Sequence, residues 1–94
     1  KIVGQMMKNK DGKVSVDLAN SGSVVAFFLR MKVLRATDGE MLTPVFFDDN
    51  YLVLLPGEKR TIQIDMTGVS AEERNTPLLL HLEGFNLQPA IIRL

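Results

Sequence analysis

His81, the one histidine in the sequence, is the natural place to look for acid–base chemistry. It stands within Leu78-Leu79-Leu80-His81-Leu82-Glu83, on the polar side of an alternating run. A catalytic base needs an orienting carboxylate on one side and a nucleophile on the other. The sequence nominates no such pair, so His81 reads as a half-exposed strand residue. Asp48-Asp49-Asn50 could offer several oxygens to a hard cation. The EF-hand spacing is absent, however, and no glutamate follows at the required distance. A turn in which Asp and Asn satisfy their own backbone accounts for these residue types.

Glu72 and Glu73 are adjacent, so they do not share a face of a helix, and capping or solvation explains them. Two-carboxylate glycoside chemistry needs a pair held about 5–9 Å apart in a cleft, and nothing nominates one. The seven glycines fall singly at turns and strand ends, which excludes a phosphate-cradling loop. There is no cysteine, hence no thiol nucleophile, thiolate metal site or redox motif. The expectation is a domain without catalytic residues, cofactor or metal.

The elements that would position any site follow a period of two. Val14, Val16 and Leu18 alternate with polar residues, as do Ile62, Ile64 and Met66, and Leu78, Leu80 and Leu82. Phe27, Leu29, Met31 and Val33 form a longer run with Arg30 and Lys32 facing out, and Ala90, Ile92 and Leu94 repeat the pattern at the end. Such alternation places one set of side chains in a core and the other towards solvent. Turn signals separate the runs at Asn9 to Gly12, Asn20 to Ser23, Thr37 to Glu40, Asp48 to Asn50, Pro56 to Glu58 and Asn86 to Pro89. Ser70-Ala71-Glu72-Glu73 has capping-box spacing, but no apolar stripe follows before Pro77, so one helical turn is expected. The fold class predicted is all-β, an immunoglobulin-like antiparallel sandwich of about seven strands.

Length allows one domain, residues 1–94, with a small core. The start at Lys1 and the end inside a strand pattern suggest a piece of a longer multidomain chain. Eleven basic side chains balance eleven acidic ones. Zero net charge argues against nucleic acid and against an anionic membrane as partners. The longest apolar run, Val24 to Leu29, is too short to span a bilayer. A module partly covered by neighbouring domains tolerates zero net charge better than a free-standing protein does.

The aromatic residues are Phe27, Phe28, Phe46, Phe47, Tyr51 and Phe85, and tryptophan is absent. Core packing is the default for most of them. In the pairs Phe27-Phe28 and Phe46-Phe47, adjacent strand residues point to opposite faces, so one of each pair should leave the core. Phe28 and Leu34 share the outward face of Arg30 and Lys32, a scattered exposure or a contact patch.

Three segments carry a resemblance. Asn20-Ser21-Gly22-Ser23 leads into Ala26-Phe27-Phe28-Leu29-Arg30, Asp49-Asn50-Tyr51 leads to Pro56-Gly57-Glu58, and Gly84-Phe85-Asn86 lies near the end. Together they resemble the C-terminal immunoglobulin-like domain of glycoside hydrolase family 2 enzymes, in the β-mannosidase and exo-β-glucosaminidase branch. Phe85 stands where that family often has tryptophan. The resemblance implies a non-catalytic accessory sandwich packed against the other domains of a glycosidase, whose two catalytic carboxylates sit on a (β/α)8 barrel. It also implies the periplasmic or extracellular setting common for such enzymes. Phe47, Asn50, Tyr51 and Phe28 are then the candidates for interdomain docking, beside a structural reading in which Asn50 and Pro56-Gly57 serve turns. Two alternatives remain open: an independent carbohydrate-binding module, which the missing tryptophan weakens, and a fibronectin-type interaction module.

Overall fold

Alternation of apolar and polar residues produces two antiparallel sheets whose apolar faces meet. The computed structural model describes residues 2–49, 52–84 and 89–94, apart from the side chains of Lys8, Phe27 and Phe28. The strands are β1 (Ile2–Lys10), β2 (Lys13–Asn20), β3 (Ala26–Arg35), β4 (Phe46–Phe47), β5 (Leu52–Leu54), β6 (Lys59–Asp65), β7 (Leu78–Glu83) and β8 (Ala90–Arg93). A single helical turn, α1 (Ala71–Arg74), lies between β6 and β7.

One sheet has the order β1-β2-β6-β4 and the other β5-β3-β7-β8. This is the immunoglobulin arrangement, A-B-E-D over C-F-G, with β5 added beside β3. The break expected at Asp48 to Asn50 is therefore a change of sheet. The chain leaves β4 beside β6 and resumes as β5 beside β3.

The alternation on β2 is realised as predicted: Val14, Val16 and Leu18 are fully buried and their neighbours are not. Ile62 and Ile64 of β6 stand beside them in the same sheet, and Leu80 and Leu82 of β7 face them from the other sheet, in one core. Leu29, Met31 and Val33 of β3 and Ile92 of β8 join them, while Ala90 and Leu94 pack at the margin. Phe27, expected inside, has its side chain outside the described residues. Ile2, Leu42, Leu52, Leu54 and Val69 also enter the core, although no long alternating run announces them. Burying one such side chain fully contributes about 1.5–3 kcal/mol.

Local chemistry fixes the connections. β1 and β2 close on Asp11-Gly12, with Lys10 paired to Lys13 and φ of 52° and 90° at the two central residues. Positive φ at both positions defines a type I′ hairpin, whose twist matches that of the strands. A register shift between Met6 and Lys8 inserts an extra residue in β1, and Met7 is turned out to solvent there. At α1, the Ser70 hydroxyl accepts from the Glu73 amide at 3.2 Å. Only this half of the capping box follows the sequence expectation, because the Glu73 carboxylate turns instead to Arg35, at 3.8 Å.

Candidate functional site

The acidic residues that could have held a cation are engaged in the framework. Asp48 pairs with β6: its Oδ1 accepts from the Gln63 amide at 2.9 Å, and its own amide donates to the Gln63 carbonyl at 3.1 Å. Asp49 accepts from Arg60 Nη1 at 3.2 Å. Among the described residues no cluster of three His, Asp or Glu side chains is placed to hold a metal ion.

His81 lies on the outer face of the β3–β7–β8 sheet, opposite Lys32 on one side and Ile91 on the other. Its Nδ1 is buried 3.2 Å from Glu83 Oε1, without the alignment of a hydrogen bond. The same carboxylate oxygen is 3.2 Å from Lys32 Nζ. The Lys32 hydrogen bond and charge hold the Glu83 carboxyl below its ordinary value, with His81 and Arg30 adding to the effect. Among the described residues, this histidine beside an ion pair on an open sheet has a carboxylate neighbour but no hydroxyl or thiol paired with it to activate.

The Leu55-Pro56-Gly57-Glu58 segment is a type II turn. The Glu58 amide donates to the Leu55 carbonyl at 2.9 Å, and Gly57 takes φ of 80°, which only glycine adopts without strain. Glu58 then folds back on its own turn. Its Oε1 accepts from the Leu55 amide at 2.8 Å and its Oε2 from Arg60 Nη2 at 3.0 Å. The Leu55 amide, and then Arg60, hold the Glu58 carboxyl below its usual range.

Asn20 ties this turn to the rest of the sandwich. It is completely buried, and its Nδ2 donates to the carbonyls of Val24 at 2.9 Å and Leu54 at 3.0 Å. Its Oδ1 accepts from the Gly22 amide at 3.0 Å. Its backbone takes a bond from the Gly57 amide at 2.8 Å and gives one to the Glu58 carbonyl at 3.1 Å. From sequence, Asn20 is only the first residue of a turn. The signal that could have singled it out is an asparagine continuing the buried register of Val14, Val16 and Leu18, where an apolar residue is expected.

The docking candidates fare unequally. Phe47 pairs with Ile64 and is partly buried against the core, so its first role is packing. Its neighbour Phe46 is the one that leaves the core, at 64% exposure. The expectation that one of the pair turns out is met, but the sequence did not say which. Pairing with the inward Ile64 decides it. Asn50 and Tyr51 lie outside the described residues, as do Phe85 and Asn86. Phe28 lies in β3, and its side chain is outside the description. A shallow concavity of about 500 Å³ runs over β1, β2 and β6, lined by Val3, Gln5, Asp17, Lys59 and Thr61 among others. None of its lining residues is aromatic, so it lacks the flat apolar faces on which sugar rings stack.

Fold and surface together define an immunoglobulin-type sandwich whose described polar side chains largely hold its own loops and turns. Residues 1–87 match the family model described as the exo-β-D-glucosaminidase immunoglobulin-fold domain, and the chain belongs to that family. Of the two enzyme types in the resemblance, β-mannosidase and exo-β-glucosaminidase, the matching family is the glucosaminidase one. A curated relative, the exo-β-D-glucosaminidase of Arthroderma benhamiae, is 31% identical over 80 residues, which are 85% of this chain and 8% of that protein. The Amycolatopsis orientalis exo-chitosanase CsxA superimposes over 100% of this chain and 11% of its own, with TM-score 0.79 and 22% identity. A periplasmic chaperone, SfaE, shares the fold at TM-score 0.65 and 13% identity, with 55% of its chain covered. The chain thus spans about a tenth of the length of the glycosidases it matches.

Proposed function

We propose that this chain is the non-catalytic accessory sandwich of a multidomain glycoside hydrolase acting on β-linked glucosamine, and that it packs against the enzyme's other domains. The observation that carries this reading is the family match over residues 1–87, whose relatives are about ten times longer. The engagement of Asp48, Asp49, Glu58 and Glu83 in framework contacts supports it. Retaining or inverting hydrolysis would need two free carboxyls facing each other across a cleft.

The test is an assay with p-nitrophenyl-β-D-glucosamine, the compound bound to the related exo-chitosanase. The isolated chain should release no nitrophenol, and the product of the complete coding sequence should release it. Hydrolysis by the isolated chain, or a coding sequence with no catalytic domain, would overturn the reading.

A further inference from the structure

The two outer faces of the sandwich differ in character. On the β1–β2–β6 sheet, polar side chains bond to each other across strands: Ser15 Oγ donates to Gln63 Oε1 at 2.8 Å, and Thr61 Oγ1 to Asp17 Oδ1 at 2.7 Å. These cross-strand polar pairs lie between exposed Val3 and Met7 at one edge of that sheet and exposed Phe46 at the other, so its apolar side chains stand apart. On the opposite sheet, the inward residues are Met31 and Val33 of β3, Leu78, Leu80 and Leu82 of β7, and Ile92 of β8. The alternation therefore turns Leu34, Leu79 and Ile91 outward. Leu34 is paired with Leu79 and, through an isolated bridge, with Met41. Ile91 sits one register step away, opposite His81. Met41 and Ile91 are 56% and 62% exposed. The result is an apolar stripe, a row of Met41, Leu34 and Leu79 with Ile91 diagonal to its end, flanked by Arg30, Lys32 and Arg93, with Glu83 already held by Lys32.

We infer that this stripe is the face by which the domain docks onto another domain of the same polypeptide, one that presents apolar side chains with carboxylates at their rim. The inference rests on the proposed accessory role and adds the surface and the chemistry of its partner. Two observations select the occupant. The chain matches only 8% and 11% of its long relatives, so in that family the sandwich is tethered within a much larger polypeptide. A tether supplies a high effective concentration, and a modest patch of mixed polarity then suffices for docking. On the outward face of β3, β7 and β8, Arg30, Lys32 and Arg93 outnumber Glu83 although the whole chain is neutral, so the complementary surface is acidic.

Methionine oxidation tests this within the full-length protein. Met41 lies in the stripe, and Met7, 57% exposed on β1 of the other sheet, is an internal reference of equal accessibility. Under dilute hydrogen peroxide, peptide mass spectrometry should show Met41 oxidising several-fold more slowly than Met7. Ile91→Asp should bring Met41 up to the Met7 rate, and adding salt should do so in part. Equal rates in the unmodified protein, or protection of Met41 that survives Ile91→Asp, would overturn the inference. Protection that disappears on dilution would also overturn it, by showing that a second copy covers the stripe. Equal rates in a protein that still hydrolyses p-nitrophenyl-β-D-glucosamine reject the docking face alone. A full-length protein without that activity rejects the accessory reading itself.

Discussion

The buried side-chain amide of Asn20 donates to the Leu54 carbonyl at 3.0 Å and so joins the end of β2 in one sheet to β5 in the other. The same nitrogen reaches the Val24 carbonyl, and the Asn20 backbone clasps the Pro56-Gly57-Glu58 turn. One residue thus serves three connections that arrive from distant parts of the chain. A buried donor or acceptor left without its partner costs about 1–3 kcal/mol. Asn20→Leu should therefore destabilise the domain by roughly 2–4 kcal/mol, because it strands the Leu54 carbonyl and the Gly22 amide together. Denaturant melts of the two forms measure this, and a change under about 0.5 kcal/mol would show that the clamp contributes little.

Glu58 makes the stability of the fold sensitive to acid. The carboxyls of Asp38, Glu58, Asp65 and Glu83 all lie below their ordinary values of 3.8 for Asp and 4.5 for Glu. Each binds its proton less readily in the folded state than in the unfolded one. Their contribution is therefore complete above the ordinary carboxylate range and is lost as pH falls through the depressed folded values. The melting temperature should be level near neutrality and drop as pH falls through 4.5 and below. Glu58→Gln should make that acid limb shallower without steepening it elsewhere. An unchanged limb would mean that the Leu55 amide and Arg60 do not discriminate between the charged and neutral forms.

Leu80 is fully buried between the sheets. Leu80→Asp places an unpaired charge in a small core and should abolish cooperative unfolding at neutral pH. Leu80→Ala should retain the fold at a cost of about 2–4 kcal/mol. A thermal melt of Leu80→Asp that matched the parent would place this strand's inner face on the wrong side.

The adjacent phenylalanines of β4 should behave oppositely. Phe46 is largely exposed, and Phe46→Ser should shift stability by no more than about 0.5 kcal/mol. Phe47 packs on the core margin, and Phe47→Ala should cost roughly 1–3 kcal/mol, less than a wholly buried phenylalanine would. Equal effects in calorimetry would contradict the register that pairs Phe47 with Ile64.

Much of this architecture was legible in the one-dimensional pattern. The period of two in Val14 to Leu18, Ile62 to Met66 and Leu78 to Leu82 stated which side chains face inward, because pleating forces neighbours to opposite faces. Asp11-Gly12, Pro56-Gly57 and Ser70 announced their turns and cap because only certain residues tolerate positive φ or supply a capping oxygen. One histidine, no cysteine and scattered glycines left the sequence without a thiol, triad or phosphate-loop motif. Tertiary structure decided what depends on residues far apart in the chain. It sent β4 and β5 to different sheets, turned Phe46 out and Phe47 in, and gave Asn20 its partner in Leu54. It also gathered Met41, Leu34, Leu79 and Ile91 into one stripe, although no local window of sequence contains them. Periodicity is local and reports which face a residue occupies. Which residues share that face is set by strand pairing across long separations, and only the folded chain specifies it.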